Sequence, residues 1–395
     1  MRTVIYCFLV LSWLASLPLQ AFYAEVNTLQ SPLPSQQHLH QVYYQLAPQE
    51  LTLDDILADP EKYHAFSLLN PSQRVLLNQQ HAVWFFARLQ NNTKQKQQLM
   101  LEYDFPLADK VEMYQRNGLN GDIRLLSRSG TDYPYSERTA PYRSYVIKLE
   151  LAAGEQRDIF IRVQDAAIIP SELLLWRHRD FVAHSQQNAL LDGVLQGILL
   201  LLAAYNLWQF LRQRQRNYVY YAGFFISFAL VVSILNGIAF ALLWPGYPEI
   251  NQAVLYIAAG AALLCLNLFI HHALHHLYSS KWRWFSHTSS FIALLLLFSP
   301  LFSAGFGRLL LLFLALAWVL CSNIVLAIRF SLAGQPQARA FVWACVFTLC
   351  TVLLLTLSQA GYLNTGFDWL YLLQLLVLFS LALTSFSLQQ IKTLR

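Results

Sequence analysis

Two hydrophobic periods divide this chain. Between about Ser31 and Gln187 apolar residues come in short runs separated by turn residues, whereas from Asn188 they come in stretches of about 20 residues. In the first region Leu51-Thr52-Leu53-Asp54-Asp55-Ile56-Leu57 opens a short helix. Strands are then predicted near 81–90, 98–103, 110–116, 122–127, 142–151, 157–164 and 172–177. Asn91-Asn92, Asp104-Phe105-Pro106, Asn117-Gly118 and Ala153-Gly154 supply the turns between them. Short strands at regular spacing predict an antiparallel sandwich, and roughly 150 residues suffice for one hydrophobic core.

The second region predicts a seven-helix transmembrane bundle. Its apolar runs lie near 189–211, 218–243, 253–274, 290–302, 309–330, 340–360 and 369–389. An α-helix of this length crosses the hydrocarbon layer with every backbone group hydrogen-bonded internally. The fourth run is the weakest, because Phe298-Ser299-Pro300 interrupts it. The predicted fold class is therefore an extracytoplasmic all-β sandwich followed by a helical membrane domain.

Charge gives the orientation. Met1-Arg2 and the apolar run that follows are too short to span and read as a signal peptide, residues 1–24. Cleavage after Ala21 or Ala24 fits, although neither site has a small residue at −3; an uncleaved anchor is the alternative. Alternate connections of the helical half carry Arg212, Arg214 and Arg216, then Lys281 and Arg283, then Arg329 and Arg339, then Lys392 and Arg395. The intervening loops hold only Arg308. Because short cytoplasmic loops hold the Lys/Arg excess, the sandwich (31–187) is placed outside an inner, or plasma, membrane. The helical domain (188–391) and a short tail (392–395) then end in the cytoplasm.

The composition agrees. Apolar residues are 56% of the chain and charged residues 12%, so part of it must lie in lipid. The net charge of +5 is unevenly shared: residues 22–187 hold 16 Lys/Arg against 19 Asp/Glu, and residues from 188 onward hold 10 against 3. No basic face remains on the exported domain for nucleic acid. Cys265, Cys321, Cys345 and Cys350 all fall in apolar runs, so the sandwich must be held by its core and not by disulfides.

Several stretches resemble a known family. Gly193 and Gly197 before Ala204-Tyr205-Asn206-Leu207, then Arg216-Asn217-Tyr218-Val219-Tyr220-Tyr221, then Gly237 and Trp244-Pro245 are similar to the first helices of bacterial seven-transmembrane receptors with diverse intracellular signalling modules. Trp84, Arg88, Asn91, Val111-Glu112-Met113-Tyr114, the stretch from Gly130 to Arg138 and Ile159-Phe160-Ile161-Arg162-Val163 resemble that family's second extracellular domain type. The resemblance implies a jelly-roll sandwich like a carbohydrate-binding module, ligand sensing outside and signal output inside. Typical members continue into a cyclase, kinase or other output module. This sequence ends at Leu394-Arg395 without a Gly-Gly-Asp/Glu-Glu-Phe signature or a nucleotide-binding loop, so output is expected through a separate cyclase or kinase.

Candidate chemistry is sparse. On the exported domain Tyr114, Tyr133, Tyr135, Arg138 and Tyr142 are the candidate ligand-binding residues: aromatic rings stack on sugars or other flat groups, and a guanidinium forks onto a carboxylate or phosphate. Trp84 is expected in the core. His271, His272, His275 and His276 have i, i+4 spacing, yet an interfacial polar cap is the favoured reading over metal. Asn206, Asn236, Asn267, Asn323 and Gln359 are expected to hydrogen-bond between helices. The acids of the helical half, Asp192, Glu249 and Asp368, are expected at outer helix ends, not at mid-membrane where coupled transport needs one. No cofactor, metal or catalytic set is expected, and the function expected is that of a membrane receptor for a small-molecule or carbohydrate-like ligand. The alternative is a transporter or ligand-scavenging protein.

Overall fold

A computed structural model describes residues 24–332, apart from breaks at 30, 32, 70–74, 77–80, 107, 118–120, 166–167, 170–172, 275–279 and 303–305, together with residue 346. Apart from residues 24 and 346, the predicted signal peptide and the sixth and seventh predicted helices lie outside the described residues.

The chain opens with strands β1 (Val26–Leu29), β2 (Gln36–His38) and β3 (Val42–Pro48). Two short helices follow, α1 (Leu53–Ala58) and α2 (Pro60–His64), then β4 (Ser67–Leu68) and β5 (Val75–Leu76). The long strands are β6 (His81–Asn91), β7 (Gln97–Tyr103), β8 (Lys110–Asn117) and β9 (Ile123–Ser129). After these come β10 (Tyr145–Leu151), β11 (Gln156–Gln164), β12 (Ile168–Ile169) and β13 (Leu173–Arg177). Helix α1 lies in the stretch predicted to open a short helix, and a capping box starts it: Thr52 Oγ1 accepts from the Asp55 amide (3.2 Å) while the Asp55 carboxylate accepts from the Thr52 amide (3.0 Å).

Two sheets face each other. The larger runs β4-β3-β6-β11-β8-β9, with β1 also paired to β6, and the smaller runs β10-β7-β13-β2. Inward positions alternate as the sequence pattern requires. Val83, Phe85, Ala87 and Leu89 of β6 and Ile159, Ile161 and Val163 of β11 meet Leu99, Leu101 and Tyr103 of β7 and Tyr145, Ile147 and Leu149 of β10. Strand β6 is buried on its other face too. Trp84 and Phe86, with Phe160, pack under Leu53, Ile56 and Phe66 from the α1–α2 region. This explains why its sequence is continuously apolar. One pairing departs from the antiparallel expectation: β1 lies parallel to β6, with Val26 beside Arg88. The three strands β1 to β3 were not predicted from sequence. Strands β1 and β2 are short and carry polar residues such as Asn27-Thr28 and Gln36-Gln37, so no apolar period marks them, whereas β3 has seven residues, Val42–Pro48, and no such reason applies to it.

Helix α3 (His178–Gln213) leaves β13 with no linker. Then come α4 (Arg216–Leu235), the short α5 (Ile238–Leu242), α6 (Pro248–Leu274), α7 (Ser280–Phe298) and α8 (Phe306–Leu332). Among the described residues four helices, within His178–Gln213, Arg216–Leu235, Pro248–His272 and Arg283–Leu301, are long and apolar enough to cross a membrane. Helix α8 carries the fifth predicted run. Two boundaries differ from the sequence reading. The run 218–243 is broken at Asn236-Gly237, where Gly237 takes φ +71, a backbone conformation that glycine adopts without steric cost. Helix α7 begins at Ser280, so the fourth run is longer than its apolar core. Helices α6 and α7 approach closely at Gly260, where a Cβ would lie 2.4 Å from the Leu297 backbone nitrogen.

Candidate functional site

The connection from β9 to β10, residues 130–144, carries four of the five candidate ligand residues. Its first residue is fixed by sterics. Gly130 has φ +144, and a Cβ there would lie 2.1 Å from the Asp109 carbonyl oxygen. Thr131 N and Asp132 N donate to Ala108 O (2.8 Å) and Asp109 O (2.9 Å), which sets the Asp109 and Asp132 carboxyls near one another.

The five candidates divide between two places. Tyr114 and Tyr133 lie on the outer face of the larger sheet, Tyr114 against the edge of the Trp84 cluster that α1 covers. Glu112 is buried there and accepts from Tyr114 Oη (2.9 Å), Arg162 Nη1 (3.1 Å) and Arg128 Nε (3.3 Å). Arg128 is exposed and stands 5.4 Å over the Tyr133 ring, while Arg162 stands 5.8 Å over Trp84. Burial, with the Glu112 charge added, pushes the Tyr114 and Tyr133 hydroxyls above their ordinary range. The result is a half-covered face with two phenol rings and one exposed guanidinium, that of Arg128, which also donates to the carboxylate beneath them.

Tyr135, Arg138 and Tyr142 lie elsewhere, between the sandwich and the outer ends of the helices. The Arg138 guanidinium sits over Tyr135 (4.6 Å) and Tyr145 (4.8 Å), and 5.6 Å from the Phe240 ring of α5. Its Nη1 donates to the carbonyls of Tyr142 (3.0 Å) and Arg143 (3.1 Å). Tyr135 N donates to Pro245 O at 2.8 Å, and its ring meets Phe240 edge-on. Gly237 turns beneath Arg143, where a Cβ would meet the arginine backbone at 3.5 Å. Burial pushes the Tyr142 hydroxyl up to about 12; this hydroxyl accepts from Asn188 Nδ2 of α3 (3.0 Å), and its ring meets Phe181.

Two carboxyls that sequence reasoning did not single out complete this junction. Glu102, on the outer face of the smaller sheet, accepts from Trp176 Nε1 (2.7 Å) and from Ser144 Oγ. Trp176 in turn stacks on His184 of α3 at 4.5 Å. Burial first, then the Asp104 charge, push Glu102 up to about 7. Asp109 accepts from Gln252 Nε2 of α6 at 2.6 Å, and burial, then Asp132, raise it to about 6. Within the bundle Asp192 accepts from Asn236 Nδ2 at 2.7 Å, near the outer end of α4. No motif marks these carboxyls in the sequence; an acid flanked by apolar residues, as in Leu101-Glu102-Tyr103, is the one available signal.

Two of the residues carrying the family resemblance, Arg88 and Asn91, tie the sandwich together. Arg88 forms a two-pronged pair with Asp158 (2.7 and 2.9 Å). Asn91 ties its hairpin together by donating to Gln95 O, Leu151 O and Ala152 O. Among the described residues no three His, Cys, Asp or Glu side chains gather to hold a metal. The His271 ring lies 5.6 Å from His287, and His275 and His276 are outside the described residues.

Comparison with known families gives two matches that follow this division. Residues 188–390 match the family described as 7TM diverse intracellular signalling, and residues 40–177 match the domain described as 7TMR-DISM extracellular 2. No curated protein matches the chain.

Proposed function

We propose, from the premise that this chain belongs to the 7TM diverse intracellular signalling family, that its extracellular sandwich binds a small polar or carbohydrate-like ligand and passes the event through its helices to a separate cytoplasmic signalling protein. Membership makes it a membrane sensor with an extracellular domain and a membrane-embedded helical domain. Ligand class and partner are the proposal. One observation carries it: the loop 130–144 has Tyr133 on the open sheet face at one end and Tyr135, Arg138 and Tyr142 against the helices at the other.

In this reading Tyr114, Tyr133 and Arg128 contact the ligand. Their rings and the guanidinium suit stacked sugar-like or anionic groups. Tyr135, Arg138 and Tyr142 transmit: a ligand that shifts Tyr133 moves a loop whose other end is keyed to α3 and α5. A ligand changes the helices only through different affinities for two arrangements of that loop. The chain itself performs no catalysis.

Two measurements test this. Tagged full-length protein purified from its native membrane should bring down a cyclase, kinase or other cytoplasmic signalling protein, and recovery of the chain alone would remove the separate-partner reading. A saccharide panel titrated against the protein in nanodiscs should show binding that Tyr133→Ala or Arg128→Ala weakens by about tenfold, since stacking on one ring contributes about 1 kcal/mol or more. Binding that survives both variants unchanged would move the ligand off this face.

A further inference from the structure

The junction between sandwich and helices holds a buried carboxyl, Glu102, and a half-buried one, Asp109, on separate contacts, and this arrangement has its own chemistry. Among the described residues neither Glu102 nor Asp109 forms an ion pair. Each instead accepts a hydrogen bond where the sandwich meets a helix or the strand feeding it: Asp109 from Gln252 of α6, and Glu102 from Trp176, whose ring is stacked on His184. Met100, Val146, Leu174, Trp176 and Phe181 form the apolar cover around Glu102. Phe181 belongs to the first turn of α3, so withdrawing that helix would let water reach the carboxyl.

We propose that this junction is a sensor of external acidity: protons taken up from the medium by Glu102 and Asp109 tighten the docking of the sandwich on α3 and α6, and their loss loosens it. The stimulus is the proton, separate from the ligand on the sheet face. The inference rests on the receptor reading only in taking the helices as the signal path.

The surroundings give the sign. Asp104 just past the end of β7, Tyr142 and Arg143 of the loop, and His184 of α3 lie around Glu102; burial and Asp104 raise it, while Ser144, Trp176 and Arg143 offset part of that. Asp109, just before β8, is surrounded by Lys110 at the start of that strand, Asp132 and Thr131 of the loop, Tyr145 of β10, Asp165 after β11 and Gln252 of α6. Tyr256 of α6 and Arg308, which stands over that ring at 5.7 Å, close the shell. Burial and Asp132 outweigh Lys110 and the donors. Phe181 of α3 over Glu102 and α6 beside Asp109 add to that burial, so each carboxyl holds its proton more tightly in the docked state, with the Gln252 donor offsetting part of this at Asp109. Docking therefore has its full advantage below the ordinary carboxyl range and loses it as pH rises through about 6 at Asp109 and about 7 at Glu102.

The test is amide hydrogen exchange on the full-length protein in lipid nanodiscs, corrected for intrinsic chemical rates, at about pH 5 and about pH 8. Peptides covering 178–188 and 236–247 should lose about tenfold or more in protection at the higher pH, because each unit of pKa raised by docking changes the equilibrium about tenfold. In a protein carrying both Glu102→Gln and Asp109→Asn, neutral mimics of the protonated groups, protection should stay high at both values. Peptides from β6 should be unchanged in every case, which separates junction opening from unfolding. Equal protection of the wild type at the two pH values overturns the proposal, and so does a pH response that survives in the doubly substituted protein. A response abolished by His184→Gln but kept in that protein assigns the proton to the histidine and likewise overturns it. These outcomes do not depend on the saccharide or co-purification experiments.

Discussion

At the residue scale the charged pairs of the sandwich serve its fold. Arg88 and Asp158 sit side by side on β6 and β11, nearly out of water, with side-chain exposures of 20% and 5%. A buried pair stabilises little compared with an apolar pair of the same shape, but removing one partner strands a charge. Asp158→Ala is therefore expected to cost about 3–5 kcal/mol in denaturant unfolding followed by tryptophan fluorescence, with Arg88→Met combined with Asp158→Leu costing much less. An equal loss in both would show that the ion pair itself carries the stability. Trp84→Ala is expected to cost a similar about 3–5 kcal/mol, because it empties a fully buried site between β6 and α1.

At the element scale two glycines decide how segments approach. Gly130 lets the β9–β10 connection fold back on the strand that starts at Lys110, and no rotation relieves a Cβ 2.1 Å from a backbone oxygen. Gly130→Ala should cost more than about 4 kcal/mol, seen as loss of folded protein at export, since both strain and displaced backbone contribute. Gly260 does the same inside the membrane for α6 and α7. Gly260→Val should lower the fraction of monodisperse protein in size-exclusion chromatography. Gly246→Ala, where a Cβ meets nothing within 4 Å among the described residues, should leave it unaltered. Comparable behaviour of the two variants would mean that the close crossing is not required for assembly.

At the scale of the whole molecule, the sandwich and the helices share a surface that neither can leave exposed. The outer face of the smaller sheet carries Met100, Val146, Leu174 and Trp176, and Phe181 of α3 closes it. Residues 24–177 expressed alone should expose this patch, bind a dye such as ANS and self-associate, because exposed apolar patches of this kind drive association. Replacing Leu174 and Val146 by threonine should restore a monomer. A wild-type fragment that is monomeric and dye-silent would show that the patch is covered in some other way. The same shared surface makes Arg138 the residue most exposed to the coupling of the two halves: Arg138→Lys keeps the charge but loses the flat stack on Tyr135 and Tyr145. Ligand affinity at the sheet face should persist in that variant while the response of co-purified partner activity to ligand falls, a split that a merely misfolded sandwich would not give.

Much of this architecture could be read from the chain alone. The seven strands predicted between 81 and 177 correspond to β6–β11 and β13, because alternation at period two is a local consequence of one face being buried, and in β6, buried on both faces, a short apolar run bounded by turns is equally local. The capping box at Thr52 and the apolar stretches of helical length are local signals of the same kind. Strands β1 and β2 were hidden because they are short and polar-interrupted, and the break at Asn236-Gly237 because the apolar run continues on both sides of it. The candidate ligand residues were chosen by type, and type does not say which neighbours they meet: Tyr114 and Tyr133 on the sheet face, Tyr135, Arg138 and Tyr142 at the junction. Glu102 and Trp176 are 74 positions apart, and Asp109 and Gln252 are 143 apart. The hydrophobic effect is non-directional and writes its period into the sequence, whereas a specific hydrogen bond exists only once register and docking have brought two distant groups together, and that the tertiary structure alone decides.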